Sequence, residues 1–174
     1  MTDLTDAHEF LTGKALRRWV RLESITWGVQ QFGHENDFIN QSEVVGLALD
    51  RLLIHVPTCP EEQEAALLLS YELSRLPHLF QGSSDLGREI AANVWAFAGL
   101  TELRSVWASL VRPWDHVAVI LEALENPSGY SGLIYYEPVS FFARAPGLAG
   151  LLQRLDSALE RDAELFGNKG ETFP

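Results

Sequence analysis

"GHENDFINQSEVVGLALDRLLIHVP", residues 33–57, holds the end of one helix, a connection and the whole of the next helix. Gly33 can take the left-handed conformation that closes a preceding helix. Asn40 and Glu43 stand three apart, the spacing of a capping box in which each side chain bonds the other's backbone N–H. Apolar residues then recur through "VVGLALDRLLIHV" until Pro57, which cannot continue a helix. Between these signals, Asn, Asp and Gly supply the side chains and backbone freedom that a turn needs. The stretch reads as helix, capped connection, helix.

The same punctuation continues in both directions. Upstream, Asp6 and Glu9 repeat the capping-box spacing and open a segment predicted to run to about Phe32. Its wide apolar arc includes Ala15, Leu16, Trp19, Val20, Leu22, Trp27 and Val29. Downstream, Thr58, Pro60 and Glu61 start a helix expected to stop before Pro77. "SSDLGREIAANVWAFAGL" is another, with a break and restart expected at Gly99 and Thr101. Pro113 opens "WDHVAVILEALEN", which Pro127 closes. A last helix covers about 147–166, and 166–174 reads as a loose tail. No period of 20–50 residues repeats. Only "LIYYEPVSFF", 133–142, has strand-like composition, and Pro138 divides it. The expectation is an all-α, single-domain bundle of six to eight helices over 1–174, with one irregular aromatic-rich segment at about 127–146.

With 174 residues, 47% of them hydrophobic, the chain can bury a sizeable core without covalent staples. Its single cysteine, Cys59, has no partner for an internal disulfide, as in a reducing compartment. The N-terminus has acids where a signal peptide has a basic region, and no apolar run approaches the ~20 residues of a membrane span. A cytoplasmic location is expected. The net charge of −11 is spread along the chain and disfavours nucleic acid and anionic membranes as partners. A basic protein partner fits it better, although an acidic balance also serves solubility alone.

Several side-chain groups qualify as candidate sites. His34, Glu35 and Asp37 are residue types that bind metals, but the chain contains neither HExxH nor ExxH, and the EF-hand pattern is absent. Caps and turns explain these residues without a metal, and no cofactor is implied. Gly129-Tyr130-Ser131-Gly132 lacks the GxSxG spacing of a hydrolase elbow. Tyr130, Tyr135 and Tyr136 lie in the irregular segment and read either as a partner-binding surface or as rings folded onto the core. Lys14, Arg17, Arg18 and Arg21 form a basic stripe in the first helix, suited to an anionic ligand, to solvent or to an acidic helix. Asp156, Glu160 and Glu164 recur every four residues in the last helix and call for a cationic counterpart. That counterpart is Lys14, Arg18 and Arg21 if the first and last helices pack together, or a basic partner protein if they do not.

Together these features point to a small acidic protein–protein interaction module rather than an enzyme. It would bind a basic partner in an inhibitor-, immunity- or antitoxin-like role. The alternative is a helical-bundle enzyme, or a small-ligand or metal-binding protein, with a site assembled from residues distant in sequence. The residues do not specify an oligomeric state.

Overall fold

Asn40 and Glu43 form the reciprocal cap their spacing predicts: Asn40 Oδ1 accepts from the Glu43 N–H at 3.0 Å, and Glu43 Oε2 accepts from the Asn40 N–H at 2.8 Å. They open one of seven α-helices in a computed structural model that describes residues 7–80, 85–133 and 148–169. These are α1 (Gly13–Trp19), α2 (Trp27–Glu35), α3 (Gln41–Leu53), α4 (Pro60–Ala66), α5 (Asp85–Ser105), α6 (Pro113–Ala123) and α7 (Leu148–Phe166). Short 3-10 turns at Leu22–Ser24, Ser70–His78, Trp107–Ser109 and Ser128–Leu133 connect some of them. No strand occurs among the described residues, and the helices form a single bundle.

The bundle is organised around α5. Ala91, Val94, Trp95, Ala96, Phe97, Ala98, Leu100 and Leu103 are buried around its circumference, the pattern of a central helix. Helices α1, α2, α6 and α7 pack on it, and α4 joins through α3. The indole N–H of Trp95 donates to the Val29 carbonyl at 2.9 Å, tying α5 to α2.

Four sequence expectations change here. The segment 6–32 is not one helix: α1 ends at Trp19, and Val20 is extended at φ −104° and ψ 130°. Val20 makes an antiparallel bridge with Gly167, and the Arg21 N–H donates to Phe166 O at 2.8 Å. The first residues after α7 are thus tied down, with Asn168 N–H donating to Trp19 O at 2.9 Å. Residues 170–174 of the expected tail lie outside the described residues, as does Asp6 of the expected first cap.

Gly33 does not close α2, which continues to Glu35. Asp37 takes the left-handed conformation instead, with φ 60°. Gly33 is small because the Trp95 ring lies against it, and a Cβ there would overlap Trp95 Cζ2. Gly99 likewise does not interrupt α5, since Leu11 Cδ2 would stand 2.6 Å from an added Cβ. In both helices glycine permits close approach of a neighbour rather than a turn. Helix α4 does stop before Pro77, as expected, but already at Ala66, and Pro77 sits within the 3-10 turn of 70–78.

Gly33→Ala tests this packing directly. The Trp95 ring is fully buried and anchored at Nε1, so it cannot swing away cheaply. A loss of about 1–3 kcal/mol in chemical denaturation is expected from overpacking. A neutral result would show that the helices separate freely.

Candidate functional site

Two charged residues occupy apolar stripes, and both are buried. Arg51 follows Val44, Leu47 and Ala48 at helical spacing on the inner face of α3. It is 3% exposed, and its Nε donates to Glu62 Oε1 at 2.7 Å, where Glu62 is 1% exposed on α4. The rest of the guanidinium satisfies three carbonyls: Leu22 O at 2.6 Å, Glu23 O at 3.1 Å and Pro57 O at 3.0 Å. Gln30 Nε2 adds a bond to Glu62 Oε1 at 2.7 Å. Burial pushes the Glu62 carboxyl above the ordinary glutamate value, while the Arg51 charge and these hydrogen bonds pull it back. One arginine therefore ties the 22–24 turn and the α3–α4 connection together. Cys59 caps α4, its sulfur accepting from the Glu62 N–H at 3.4 Å.

The second residue is Asp162, which follows Leu151, Leu155 and Leu159 on the apolar face of α7 and is 2% exposed. The Tyr130 hydroxyl donates to its Oδ2 at 2.7 Å, and Arg161 Nε donates to its Oδ1 at 2.7 Å. Burial first, and the Asp162 charge second, raise the Tyr130 hydroxyl well above its ordinary value, so it remains a donor. Arg161 Nη2 reaches Gly129 O at 3.2 Å. Gly129 N–H in turn donates to Asn93 Oδ1 at 3.2 Å, which fastens the 128–133 turn to α5.

These clusters rearrange the sequence-predicted site residues. Tyr130 is a core ring at 1% exposure, not available to a partner in this structure. Tyr135 and Tyr136 lie outside the described residues. The basic stripe disperses because α1 ends before Arg21. Arg17 pairs with Asp50 of α3, Arg18 lies 3.4 Å from Glu102 of α5, and Lys14 is exposed. Arg21 donates to the Leu165 carbonyl at the end of α7, where a cation favours the helix dipole.

Lys14, Arg18 and Arg21 are therefore not the counterpart of the acidic stripe. Asp156 is bound by Arg104 of α5, with Nε to Oδ1 at 2.8 Å and Nη2 to Oδ2 at 3.4 Å. Glu160 and Glu164 are exposed. His34 and Glu35 diverge: His34 packs on Phe80 with ring centroids 5.3 Å apart, and Glu35 pairs with Arg88 at 3.1 Å, while Asp37 lines an open cleft with His34. Among the described residues, no three His, Cys, Asp or Glu side chains are grouped to hold a metal. Nor is any helix there long and apolar enough to cross a membrane.

One stretch of the chain stands out by composition. Ten large apolar side chains are exposed among the described residues, and six of them fall between residues 49 and 71. Leu49, Leu53 and Ile54 lie at the end of α3, while Leu67, Leu69 and Tyr71 follow α4. Leu53, Leu67 and Tyr71 are 66%, 70% and 79% exposed. Helices α3 and α4 pack along one another, with Arg51 and Glu62 locked between them. Between Gln41 and Glu72 the only Arg or Lys is the buried Arg51, and the acids include Glu43, Asp50, Glu61, Glu64 and Glu72. Arg17 and Arg75 offset part of that charge and leave the rim net negative.

Apolar periodicity alone does not reveal which of the apolar residues at 49–71 find a neighbour. Asp162 and Arg51 had a sequence signal, a charge at the next position of an apolar row. No curated protein and no solved structure matches the chain. The matched family span begins at Val20 and contains both buried clusters and the whole α3–α4 surface. Over residues 20–163 the chain belongs to the family described as "Uncharacterized protein conserved in bacteria (DUF2247)".

Proposed function

We propose that this protein is a binding module that docks a basic partner protein on the α3–α4 surface, in an inhibitor-, immunity- or antitoxin-like role. The observation that carries the reading is that Leu49, Leu53, Ile54, Leu67, Leu69 and Tyr71, six of the ten exposed large apolar side chains among the described residues, lie at the end of α3 and just after α4, two helices held together by a buried ion pair. Grouped exposed apolar side chains within a polar rim are characteristic of protein-binding surfaces. The net negative rim, and a net charge of −11 over the chain, favour a cationic partner and would accelerate its approach. Glu160 and Glu164, exposed on α7, add to that field.

A double variant, Leu53→Asp with Leu67→Asp, separates binding from folding because both side chains are exposed. Tagged wild-type protein is expected to retain a basic protein from host lysate at a fixed stoichiometry. The variant should lose it while melting at nearly the wild-type temperature. Association with the purified partner should slow as salt rises. Equal retention by the variant would move the interface elsewhere. If association with the retained protein is insensitive to salt, charge has no part in the encounter.

A further inference from the structure

We infer that the cleft between the Ser128–Leu133 turn and α7 binds a small oxyanion, a phosphate or carboxylate group, between Arg154 and Arg161. The cleft measures about 620 Å³, within the range of small-ligand pockets. Arg154, Ser157 and Arg161 line it from α7 at spacings of three and four, which places them on one face of the helix. The two arginines are two turns apart, about 10.5 Å along the axis, with the Ser157 hydroxyl between them. A guanidinium on each side and a hydroxyl in the middle form a row of donors. An oxyanion offers only acceptors, so it complements that row.

Electrostatics single out this cleft in an acidic protein. None of the described residues that line it is Asp or Glu. Most of the other described arginines meet carboxylates: Arg17 with Asp50, Arg75 with Glu64, Arg88 with Glu35, Arg104 with Asp156 and Arg112 with Asp115, while Arg21 donates to a carbonyl and Arg161 meets the buried Asp162. Arg154 is in no such pair among the described residues, and it has a carbonyl, Gly132 O, at 3.5 Å. That is a long contact to a neutral acceptor, which leaves most of its five N–H groups for a ligand.

Arg161 is oriented beforehand. Its Nε is fixed by the buried carboxylate of Asp162 at 2.7 Å and its Nη2 by Gly129 O at 3.2 Å. Less side-chain entropy is then lost when a ligand is bound. On the opposite wall, a Cβ added to Gly132 would meet nothing within 4 Å, so the backbone leaves an open approach.

This inference does not rest on the protein-binding reading, since the cleft and the α3–α4 surface share no residue. Calorimetric titration of the full chain with inorganic phosphate and, separately, with succinate tests it at constant ionic strength. Saturable binding of at least one probe is expected, with chloride giving none. Binding of phosphate alone would assign a phosphate-bearing ligand, and binding of succinate alone a carboxylate. Arg154→Gln should weaken binding by about tenfold or more, the equivalent of one charge-assisted contact. Glu160→Gln, on the same helix but outside the cleft, should not weaken it. Absence of saturable binding by both probes, or equal affinity in Arg154→Gln, would overturn the proposal.

Discussion

Arg51→Ala is expected to lower the stability of the protein by about 3–5 kcal/mol, the cost of breaking a buried ion pair from one side. The substitution strands the Glu62 carboxylate between α3 and α4 and leaves the carbonyls of Leu22, Glu23 and Pro57 without their donor. Against a typical net stability of about 5–15 kcal/mol, this is enough to leave a large fraction of the protein unfolded on mild heating. Arg51→Lys should recover only part of the loss, because a single ammonium cannot span the four acceptors that the planar guanidinium meets. Removing both charges, as Arg51→Met with Glu62→Leu, should cost less than Arg51→Ala, since no buried charge is stranded. Urea midpoints for the three variants check the order. A loss below about 1 kcal/mol for Arg51→Ala would mean that water reaches the pair. The same variants bear on the proposed docking, because Arg51 and Glu62 hold together α3 and α4, at whose ends the exposed apolar side chains lie.

Tyr130→Ala should cost a similar amount, about 3–5 kcal/mol, as for deletion of other buried aromatic rings. Tyr130→Phe keeps the ring and removes only the hydroxyl, leaving Asp162 Oδ2 without the donor it has at 2.7 Å. A loss of about 1–3 kcal/mol is expected for an unsatisfied buried acceptor. The graded pair distinguishes a core tyrosine from a recognition tyrosine. On a recognition surface, alanine would weaken partner capture and leave the melting temperature nearly unchanged. For Tyr130 the structure leads to the reverse, with stability lost in the order Ala, then Phe. Equal melting of all three proteins would place the ring outside the core. Because Asp162 also fixes Arg161, Tyr130→Phe should perturb the oxyanion cleft less than Asp162→Ala, which frees that guanidinium.

The all-α class and much of the helix punctuation followed from local chemistry. Asn40 and Glu43 can satisfy each other's backbone only when three residues apart at a helix start, and their cap forms as the spacing predicts. Pro60 and Pro113 open helices because an N–H missing from the first turn has no helical partner to lose. Such signals depend on the next few residues and survive any tertiary arrangement. Gly33 and Gly99 show where local reading stops. Glycine serves both to end a helix and to admit a close neighbour, and only the presence of Trp95 or Leu11 distinguishes the two uses.

Charge was legible to a similar depth. That Arg51 and Asp162 continue apolar rows could be read from spacing, but their partners, Glu62 and Tyr130, depend on how the chain returns. The basic stripe of 14–21 dissolved because Val20 pairs with Gly167, at the far end of the described chain, and turns Arg21 towards the end of α7. Asp156 found Arg104 rather than α1 because α5, the central helix, presents that guanidinium to α7. Helical periodicity assigns residues to faces; contacts between elements far apart in sequence determine which faces meet. The exposed apolar side chains at 49–71 and the cleft at Arg154 and Arg161, with no Asp or Glu among its described lining residues, both arise from that second step, where some faces find neighbours and others remain open.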